Sequence, residues 1–485
     1  MNLYNIKTTA FLFSIVILFS CQREDYYTGS DAKIEVSTDT LRFDTVFTSI
    51  GSSTKFFKIY NKQSQPILID VALKNNSNNT FRINVDGVKG PNVAQVEINS
   101  QDSIYVFVET TINPDLPLSI SPFIINDAIN ITYNGNLQTI ILEAWGQNAN
   151  YIPNNQGKGG VRLLTCGSGT ITWDDPKPYV IYGVLAIDSC TVVLPPGCRI
   201  YVHGGIVRTS TSVYGDGLIV MQPNGILNSQ GTTDQPVIIQ GDRLEEDFND
   251  VRSQWEGIVF TTGSTNHHID HTIIKNCNYG LFVDSLASIK VTNSIIYNTG
   301  NSGIIGKHAA IIAENCLIYS NNNHSVRLFH GGDYEFNSCT VVSNTNKASA
   351  LFISDFYVYN ILRPALFNKL KASFTNTIFA GNDDNELIFA KSTSDKMQYD
   401  YQLNNCVVKV RDIPKDIDYK DFIDNCANCI IQGFNSRVFK NENRSDYSLD
   451  SLSIARNKGI PISTLTRDIK GKHRKNPPDI GCYEY

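Results

Sequence analysis

Charged side chains are scarce in this 485-residue sequence, at 18% of the residues, and the formal net charge is −6. Basic residues do not form runs interleaved with aromatics, apart from one short basic run at 470–475. A protein that binds nucleic acid without sequence preference needs a basic surface. The composition therefore predicts no nucleic-acid partner, and we interpret the run at 470–475 as a solvated loop.

The N-terminal apolar run, residues 10–19, is too short to span a membrane comfortably. With Lys7 before it, the run has the pattern of a secretory signal peptide. The residues that follow, Leu18-Phe19-Ser20-Cys21, resemble a bacterial lipobox. This resemblance implies a signal peptide over residues 1–20 and lipidation of Cys21, which anchors a chain through its acyl groups without a spanning helix.

Residues 21–32 look like a lipidated tether. Within them, Gln22-Arg23-Glu24-Asp25 resembles the short acidic signal that exports some Gram-negative lipoproteins to the cell surface. The resemblance implies an outer-membrane location, surface exposure and a lipid bilayer as the partner of the N-terminus.

One short phrase recurs seven times between residues 267 and 432: a turn residue, a small residue and then two apolar or β-branched residues. Its small residues are Thr272, Ser294, Cys316, Cys339, Thr377, Cys406 and Cys429. They are 22, 22, 23, 38, 29 and 23 residues apart, and such a period is typical of a solenoid. We interpret the spacings of 38 and 29 as coils that carry loop insertions.

The residue types indicate which solenoid this is, because each phrase is too short for a helix and is flanked by turn residues. Stacked coils place equivalent residues about 4.8 Å apart, so the position before the small residue forms a column. Five asparagines occupy it, with His271 and Ser338 as exceptions: Asn293, Asn315, Asn376, Asn405 and Asn428. Asparagine tolerates unusual turn backbones, and its amide can bond the amide of the next coil.

These phrases resemble the coils of a right-handed parallel β-helix of the pectate-lyase-like architecture, and the resemblance covers residues 161–437. Its handedness is implied by the resemblance and by the usual rule for parallel crossovers. The final segment, residues 438–485, resembles the closing segment of many β-helix proteins. We expect it to cap the last coil, whose open edge would otherwise pair with other chains.

Residues 33–148 contain seven short alternating stretches separated by Asn and Gly turns, which predicts a β-sandwich. The predicted strands are 41–47, 55–61, 67–71, 81–85, 103–108, 129–133 and 138–142. The order of elements resembles immunoglobulin-like domains of surface lipoproteins, which implies a spacer or contact surface. Residues 149–160 are polar and are predicted to be a linker. The predicted fold class is all-β, an immunoglobulin-like sandwich followed by a β-helix.

The sequence has eleven cysteines, and their placement favours a buried column over a disulfide framework. Four of them share the column of small residues, and Cys190 lies in a similar phrase. Cys426 and Cys429 form a CxxC pair, but no second CxxC or His pair completes a zinc set, so we predict a structural role.

An acidic loop offers the one candidate cation site: Glu245, Glu246, Asp247 and Asp250. Clustered carboxylates can ligate calcium. Their spacing does not match an EF-hand, and a solvated loop is the alternative that we favour. We therefore expect no cofactor.

The candidate functional patch comes from aligning the second strand of each coil, because a β-helix site is assembled from several coils. Six residues gather near the ends of these strands or in an inserted loop: Asp284, His308, Arg327, His330, Asp355 and Tyr357. Aromatic rings beside carboxylates and cations suit a sugar-binding wall, and a carboxylate with His or Arg could do acid/base work.

Two functions remain open. In the first, which we favour, the protein is a non-catalytic lipoprotein whose β-helix recognises a polysaccharide or a surface protein. In the second it is a polysaccharide lyase or glycoside hydrolase that uses a wall patch. Lyases of this architecture use Asp-rich calcium sites with a basic residue, and no such columns occur in this sequence.

Overall fold

A computed structural model describes most of the chain between residues 25 and 485. The described residues are 25–47, 54–75, 80–111, 123–147, 149–152, 160–208, 213–244, 248–345, 348–359, 364–392, 398–410, 422, 424–433 and 435–485. The predicted signal peptide, Cys21 and three of the four acidic-loop residues lie outside them. The chain divides into two compact units, Met1–Asn148 and Ala149–Tyr485, which are described in turn. No helix among the described residues has the length and hydropathy needed to span a bilayer.

The first unit packs two five-stranded sheets face to face. The first sheet has the order Ile34–Val36, Lys55–Asn61, Ser103–Thr110, Phe81–Val85 and Val88–Gly90. The second has the order Thr40–Phe47, Asn136–Gln147, Phe123–Tyr133, Ile67–Leu73 and Asn92–Ile98. In Ile67–Leu73 every second side chain is buried, the pattern expected of strands with one face on a core.

All seven predicted strands are present in this unit, together with three that were not predicted: Ile34–Val36, Val88–Gly90 and Asn92–Ile98. The pairs are antiparallel except that Thr40–Phe47 lies parallel to Asn136–Gln147. The hairpin turn between Phe123–Tyr133 and Asn136–Gln147 holds Asn134 and Gly135 at φ of 46° and 82°, as a primed turn requires. The predicted sandwich is confirmed.

The second unit is a parallel solenoid with three walls. The first wall is an eleven-stranded sheet of Asn150–Ile152, Tyr179–Tyr182, Arg199–His203, Val237–Gly241, Thr272–Lys275, Ile295–Thr299, Leu317–Asn321, Thr340–Ser343, Ile378–Gly381, Val407–Val408 and Ile430–Ile431. Each strand pairs in parallel with the equivalent strand one coil away. This is the predicted β-helix, and the all-β fold class is confirmed.

The second and third walls join into one seventeen-stranded sheet, because Ile304–Glu314 and Val326–Asn337 run through the corner between them. Besides these two strands, the second wall comprises Val161–Leu164, Val184–Ile187, Leu218–Met221, Trp255–Phe260, Cys277–Val283, Leu351–Ser354 and Leu387–Ala390. The third comprises Gly169–Thr172, Cys190–Leu194, Gly225–Gln230, His267–Asp270, Ser288–Thr292, Leu370–Thr375, Tyr399–Asn404 and Cys426–Ala427.

Three short antiparallel pairs lie outside the walls: Gly205–Arg208 with Val213–Asp216, Phe356–Tyr357 with Leu366–Phe367, and Phe439–Asn441 with Asp446–Leu449. A 3-10 turn at Glu442–Arg444 joins the last two strands. The inward side chains of all three walls form one continuous apolar core.

The seven repeated phrases occupy successive strands of the first wall, in register with one another. All seven turn residues adopt the left-handed backbone, with φ between 41° and 54°: His271, Asn293, Asn315, Ser338, Asn376, Asn405 and Asn428. The Asn315 amide donates to Asn293 Oδ1 at 3.1 Å, so at this step the side chains bond from coil to coil. The thiols of Cys316, Cys339 and Cys406 are buried below them.

The expectation that the cysteines form no disulfides is wrong for two pairs, Cys166–Cys190 and Cys426–Cys429. Cys166 and Cys190 lie on neighbouring coils with Cα atoms 4.9 Å apart, so stacking alone brings them together. The CxxC pair is joined across the last described turn of the solenoid, with Cα atoms 5.7 Å apart. Its role is structural in this form, because paired sulfurs cannot ligate a metal as thiolates.

Two expectations about the ends of the solenoid need correction. Part of the predicted linker, Asn150–Ile152, is the first strand of the first wall and pairs with Tyr179–Tyr182. Residues 438–485 pack against the outer face of the first wall instead of only covering the last coil. The segment buries outward apolar residues of that wall, such as Leu317 and Ile378. It therefore covers a sheet face that would otherwise be exposed.

Candidate functional site

The predicted site residues meet where the second wall turns into the third. The parallel register stacks Asp284, Lys307 and Phe329 on successive coils. His308 and His330 follow at the turn itself, with left-handed φ of 49° and 61°. Because both turns have the same backbone, the two imidazoles project from the same corner one coil apart.

Asp284 is held by three donors. Lys307 Nζ lies 3.0 Å from Oδ1, the Ser285 N–H donates to Oδ1 at 2.7 Å, and the Thr262 hydroxyl donates to Oδ2 at 3.2 Å. Burial by itself would raise the pKa of Asp284, but these hydrogen bonds and the Lys307 charge outweigh it and lower the pKa. The carboxylate is therefore ionised at neutral pH and unsuited to donate a proton.

An uninterrupted chain of ring contacts extends from the two histidines. The ring centroids of His308 and His330 are 5.6 Å apart, and those of His330 and Tyr357 are 6.0 Å apart. Tyr357 also contacts Phe329 at 5.4 Å, and Lys307 Nζ lies 5.9 Å from the Tyr357 ring. We call this cluster, completed by Arg327 at 4.8 Å from the Phe329 ring, the corner patch: Asp284, Lys307, His308, Arg327, Phe329, His330 and Tyr357.

The two histidines of the corner patch have partly unsatisfied rings. Burial lowers the pKa of His330, and the neighbouring His308 and Lys307 lower it further. Asn368 Nδ2 lies 2.9 Å from His330 Nε2, so the amide donates and the ring proton belongs on Nδ1. Nδ1 of both rings is buried without a hydrogen-bond partner among the described residues.

Asp355 was predicted to lie in this patch, but the structure places its side chain elsewhere. Its side chain is buried, and Ser392 donates to it twice, from the backbone N–H at 2.8 Å and from Oγ at 2.7 Å. Ser392 comes from the next coil of the second wall, just after the strand Leu387–Ala390. Loop insertions near this strand prevent its register from being predicted from the sequence. Asp355 therefore ties two coils together and offers no carboxylate to the surface.

A groove of about 350 Å³ on the outer face of the third wall was missed by the sequence analysis. Its polar lining includes Lys290, Asp333, Glu335 and Lys371. Asp333 and Glu335 are two residues apart on one strand, so both side chains face the groove about 7 Å apart along the strand. We call these residues the third-wall groove.

The sequence did carry a signal for this groove. In Asp333-Tyr334-Glu335-Phe336 the charged and aromatic residues alternate, and the structure buries the aromatics and exposes the carboxylates. Aligning the third strand of each coil, in addition to the second, would have placed Lys290 beside Ile312 and Glu335.

The calcium hypothesis concerns residues that mostly lie outside the described part of the chain. Glu245, Glu246 and Asp247 are among them, and only Asp250 is described. Among the described residues, no group of three or more His, Cys, Asp or Glu side chains is arranged to hold a metal ion.

Comparison with known proteins supports the architecture. Residues 222–362 match the family described as "Right handed beta helix region". This match gives the solenoid its hand, and together with the sandwich it defines the class of protein: an N-terminal β-sandwich followed by a right-handed parallel β-helix. No curated protein matches the sequence.

Solved structures match the chain only at low identity and with low TM-scores. The PapD-like domain 7 of human CEP192 is 8% identical, with 27% of this chain and 95% of that chain covered and a TM-score of 0.18. WR4, an MSP family member of C. elegans, is 13% identical over 24% and 98%, with a TM-score of 0.16. The catalytic unit of a GH87 alpha-1,3-glucanase from Streptomyces thermodiastaticus is 8% identical over 73% and 79%, with a TM-score of 0.25.

Proposed function

We propose that this protein is an extracytoplasmic lipoprotein that binds glycan through the corner patch without catalysing its cleavage. The observation that carries the proposal is that Asp284 and Asp355, the carboxylates near the aromatic rings of the corner patch, are both already engaged by other groups. Asp284 is ion-paired with Lys307, and Asp355 is buried against Ser392. Asp284 is ionised and Asp355 is enclosed, so neither of them can serve as the carboxylic acid that protonates the leaving group in glycoside hydrolysis.

The rest of the patch has the composition of a sugar-binding surface. Tyr357 and the two histidines give ring faces for the apolar side of a pyranose, while Lys307 and Arg327 give hydrogen-bond donors for its hydroxyls. Small-molecule sites combine aromatic surface with a few placed polar groups in this way. The rigid coil register fixes their spacing before any ligand arrives, which lowers the entropic cost of binding.

Anchoring through Cys21 at the outer membrane, facing outward, is the second part of the proposal. It rests on the lipobox-like sequence. The disulfides Cys166–Cys190 and Cys426–Cys429 support it, because such bonds persist in oxidising compartments outside the cytoplasm. Growth with a labelled fatty acid should label the wild-type protein and leave Cys21→Ala unlabelled, whereas equal labelling of both would contradict the anchor.

Titration of the purified protein against a panel of neutral oligosaccharides tests the corner patch. We expect at least one ligand whose affinity falls about tenfold or more in Tyr357→Ala and in His330→Ala. Phe56→Ala, which removes an exposed ring from the sandwich, is the matched control and should bind as the wild type does. If no ligand binds, or if the three variants weaken binding equally, the proposal fails.

A glycoside hydrolase is the second candidate function, and the third-wall groove is the observation that favours it. Asp333 and Glu335 face one cavity with Lys290 and Lys371 beside them. Glycoside hydrolysis uses a pair of carboxylates beside the scissile bond, and this groove has two carboxylates in its lining. Asp333 lies 3.9 Å from Lys371 Nζ, and Glu335 accepts from the Asn337 amide at 2.7 Å, so both already have partners.

A further inference from the structure

Within the basic run at 470–475, Lys470, Lys472, His473 and Lys475 are exposed, as expected of a solvated loop, but Arg474 anchors the run to the solenoid. Asp468 Oδ1 accepts the backbone N–H groups of Lys470 at 2.9 Å and Lys472 at 2.7 Å, which fixes a tight turn. Arg474 points inward and donates to Asn315 Oδ1 at 2.6 Å and to the Gly481 carbonyl at 2.9 Å. This turn directs the lysines of the run away from the solenoid.

A basin of about 650 Å³ opens beside the turn and collects cations from three separate stretches of the C-terminal segment. Lys440 comes from the strand Phe439–Asn441, Arg456 from the following loop, and Lys472 and Lys475 from the basic run. Arg456 lies 16 positions after Lys440, and Lys472 lies 16 positions after Arg456, so only the fold brings the three stretches to one cavity. Four cations around one cavity stand out in a chain whose net charge is −6.

The carboxylates of the basin do not cancel this charge. The Glu484 side chain is fully buried, lies 3.8 Å from Arg474, and accepts the backbone N–H groups of Lys475 and Asp479. The positive charge of Arg474, which lies outside the lining of the basin, therefore offsets the Glu484 charge. Asp450 is engaged by the Leu452 N–H at 2.7 Å. The charged side chains that line the basin are thus four cations and two carboxylates, and both carboxylates are already engaged by backbone N–H groups.

The cations are also unequally engaged. The Arg456 guanidinium lies 3.7 Å from the Tyr485 ring centroid, and Lys475 Nζ donates to the Tyr485 carbonyl oxygen at 2.7 Å. Lys440 reaches only Asp446, at 4.0 Å and largely in solvent, so that pair contributes little. Lys440 and the exposed Lys472 are therefore the cations best able to meet an incoming anion.

We infer that this basin binds an acidic oligosaccharide, with its carboxylate or sulfate groups on Lys440 and Lys472 and a sugar ring near Tyr485. Charged hydrogen bonds of ammonium groups to oxyanions supply the attraction. The serine hydroxyls at Ser448 and Ser451 supply neutral partners that a sugar can use. A confined basin on an acidic chain lacks the extended basic surface of a nucleic-acid site. The site shares no residue with the corner patch.

The experiment measures binding of the full chain to oligogalacturonate and to a sulfated oligosaccharide, with neutral dextran as the uncharged reference. The test variant is Lys440→Gln/Lys472→Gln. The charge-matched control is Lys33→Gln/Lys89→Gln, which removes two exposed lysines from the sandwich. We expect the test variant to bind at least one acidic ligand about tenfold more weakly or worse, and the control to bind within twofold of the wild type.

Several outcomes would overturn the inference. Binding of neither acidic ligand, or equal weakening in the two double variants, would show that the basin is not a site. Equal affinity for a single-stranded oligonucleotide of matched charge, lost in the same variant, would assign the basin to phosphodiesters. Weakening of the acidic ligand by Tyr357→Ala would move the binding to the corner patch. That result separates a failure here from a failure of the proposed function.

Discussion

At the scale of single residues, the turn asparagines show why this sequence repeats as it does. Each must hold a left-handed backbone that costs a residue with a Cβ about 1–2 kcal/mol, and asparagine tolerates it best among non-glycine residues. Glycine would fit the backbone but has no amide to bond a neighbouring coil or the C-terminal segment. Asn376 and Asn405 use theirs on the carbonyls of Ile460 and Lys458. Asparagine therefore both adopts the left-handed turn backbone and bonds the C-terminal segment.

Asn315 allows the two effects to be separated. Its amide donates to Asn293 Oδ1 and to the Arg467 carbonyl, and its Oδ1 accepts from Arg474. We expect Asn315→Gly to lose about 2–3 kcal/mol of unfolding free energy from these bonds alone. Asn315→Ala should lose roughly 1 kcal/mol more, because φ here is 53°. Urea denaturation measures both, and an alanine variant as stable as the glycine variant would refute this explanation.

His267 predicts a pH dependence of stability. It is buried, accepts the Leu227 N–H at 3.1 Å and bonds the Ser264 hydroxyl at 2.5 Å, and burial lowers its pKa to about 4. A histidine in the unfolded chain is protonated below about pH 6.5, whereas His267 in the folded protein is protonated only below about pH 4. The unfolded state thus binds more protons in this window, and stability falls as the pH drops through it, by up to roughly 3 kcal/mol.

The check is urea denaturation at pH 7, 5.5 and 4 for the wild type and His267→Gln. The variant should be less stable at pH 7 but should lose less on acidification. Some slope should remain, because burial also lowers the pKa of His324 to about 4. Parallel pH curves for the two proteins would show that His267 does not titrate as described.

At the scale of elements, the C-terminal segment acts as a lateral cover. Its apolar side chains, among them Tyr447 and Ile480, bury the outer face of the first wall. Its polar groups also bond the first wall, as when the Cys482 N–H donates to Thr340 Oγ1 at 3.1 Å. A sheet face exposed on the outside of a solenoid would be an adhesive apolar patch, and this segment removes it from solvent.

Removing Arg474 should detach this cover. Arg474→Ala removes the donor from Asn315 Oδ1 and from the Gly481 carbonyl, and it leaves the buried Glu484 without its paired charge. Breaking a buried charged pair of this kind costs about 3–5 kcal/mol. We expect limited proteolysis to cleave the segment faster in this variant, with a lower urea midpoint.

The matched control is Arg467→Ala in the same segment. Arg467 is exposed and donates to the Gly471 carbonyl at 2.6 Å, so its loss should cost less than about 1 kcal/mol. If Arg474→Ala resists proteolysis as well as Arg467→Ala does, the buried contacts do not hold the segment in place.

The same scale shows how far the sequence could predict the structure. The repeated phrases predicted the solenoid and the alternating stretches predicted the sandwich. Both predictions were possible because the spacing of buried apolar residues can be seen within a short window of sequence. The partner of Asp355 was not predictable, since Ser392 reaches it across an insertion whose length hides the register. The bond between Cys166 and Cys190 was missed because Cys166 stands outside the repeated phrase.

The candidate site was only half visible for a related reason. Aligned strand ends placed His308, His330 and Asp284 near one corner, but which side chains remain available depends on their neighbours. Lys307 neutralises Asp284 from the adjacent coil, which a list of residue types cannot show. The third-wall groove requires the register of a second set of strands, and the phrase used for alignment lies on the first wall.

At the scale of the whole molecule, the solenoid carries three separate polar surfaces on one rigid stack. The corner patch has rings and cations with its carboxylate paired, the third-wall groove has two surface carboxylates, and the C-terminal basin has four cations. Binding without turnover is the function that we propose for the first surface. Hydrolysis would require the second, and an acidic ligand would engage the third.

The most direct test of the account follows binding and bond cleavage in one sample. A glycan from the panel that binds the wild-type protein is titrated by calorimetry, and the same mixture is assayed over a day for new reducing or unsaturated ends. We predict saturable binding that Tyr357→Ala weakens, with no more ends than in the protein-free blank. Ends that accumulate with the wild type and disappear in Asp333→Asn/Glu335→Gln would contradict the account and make the third-wall groove an active site.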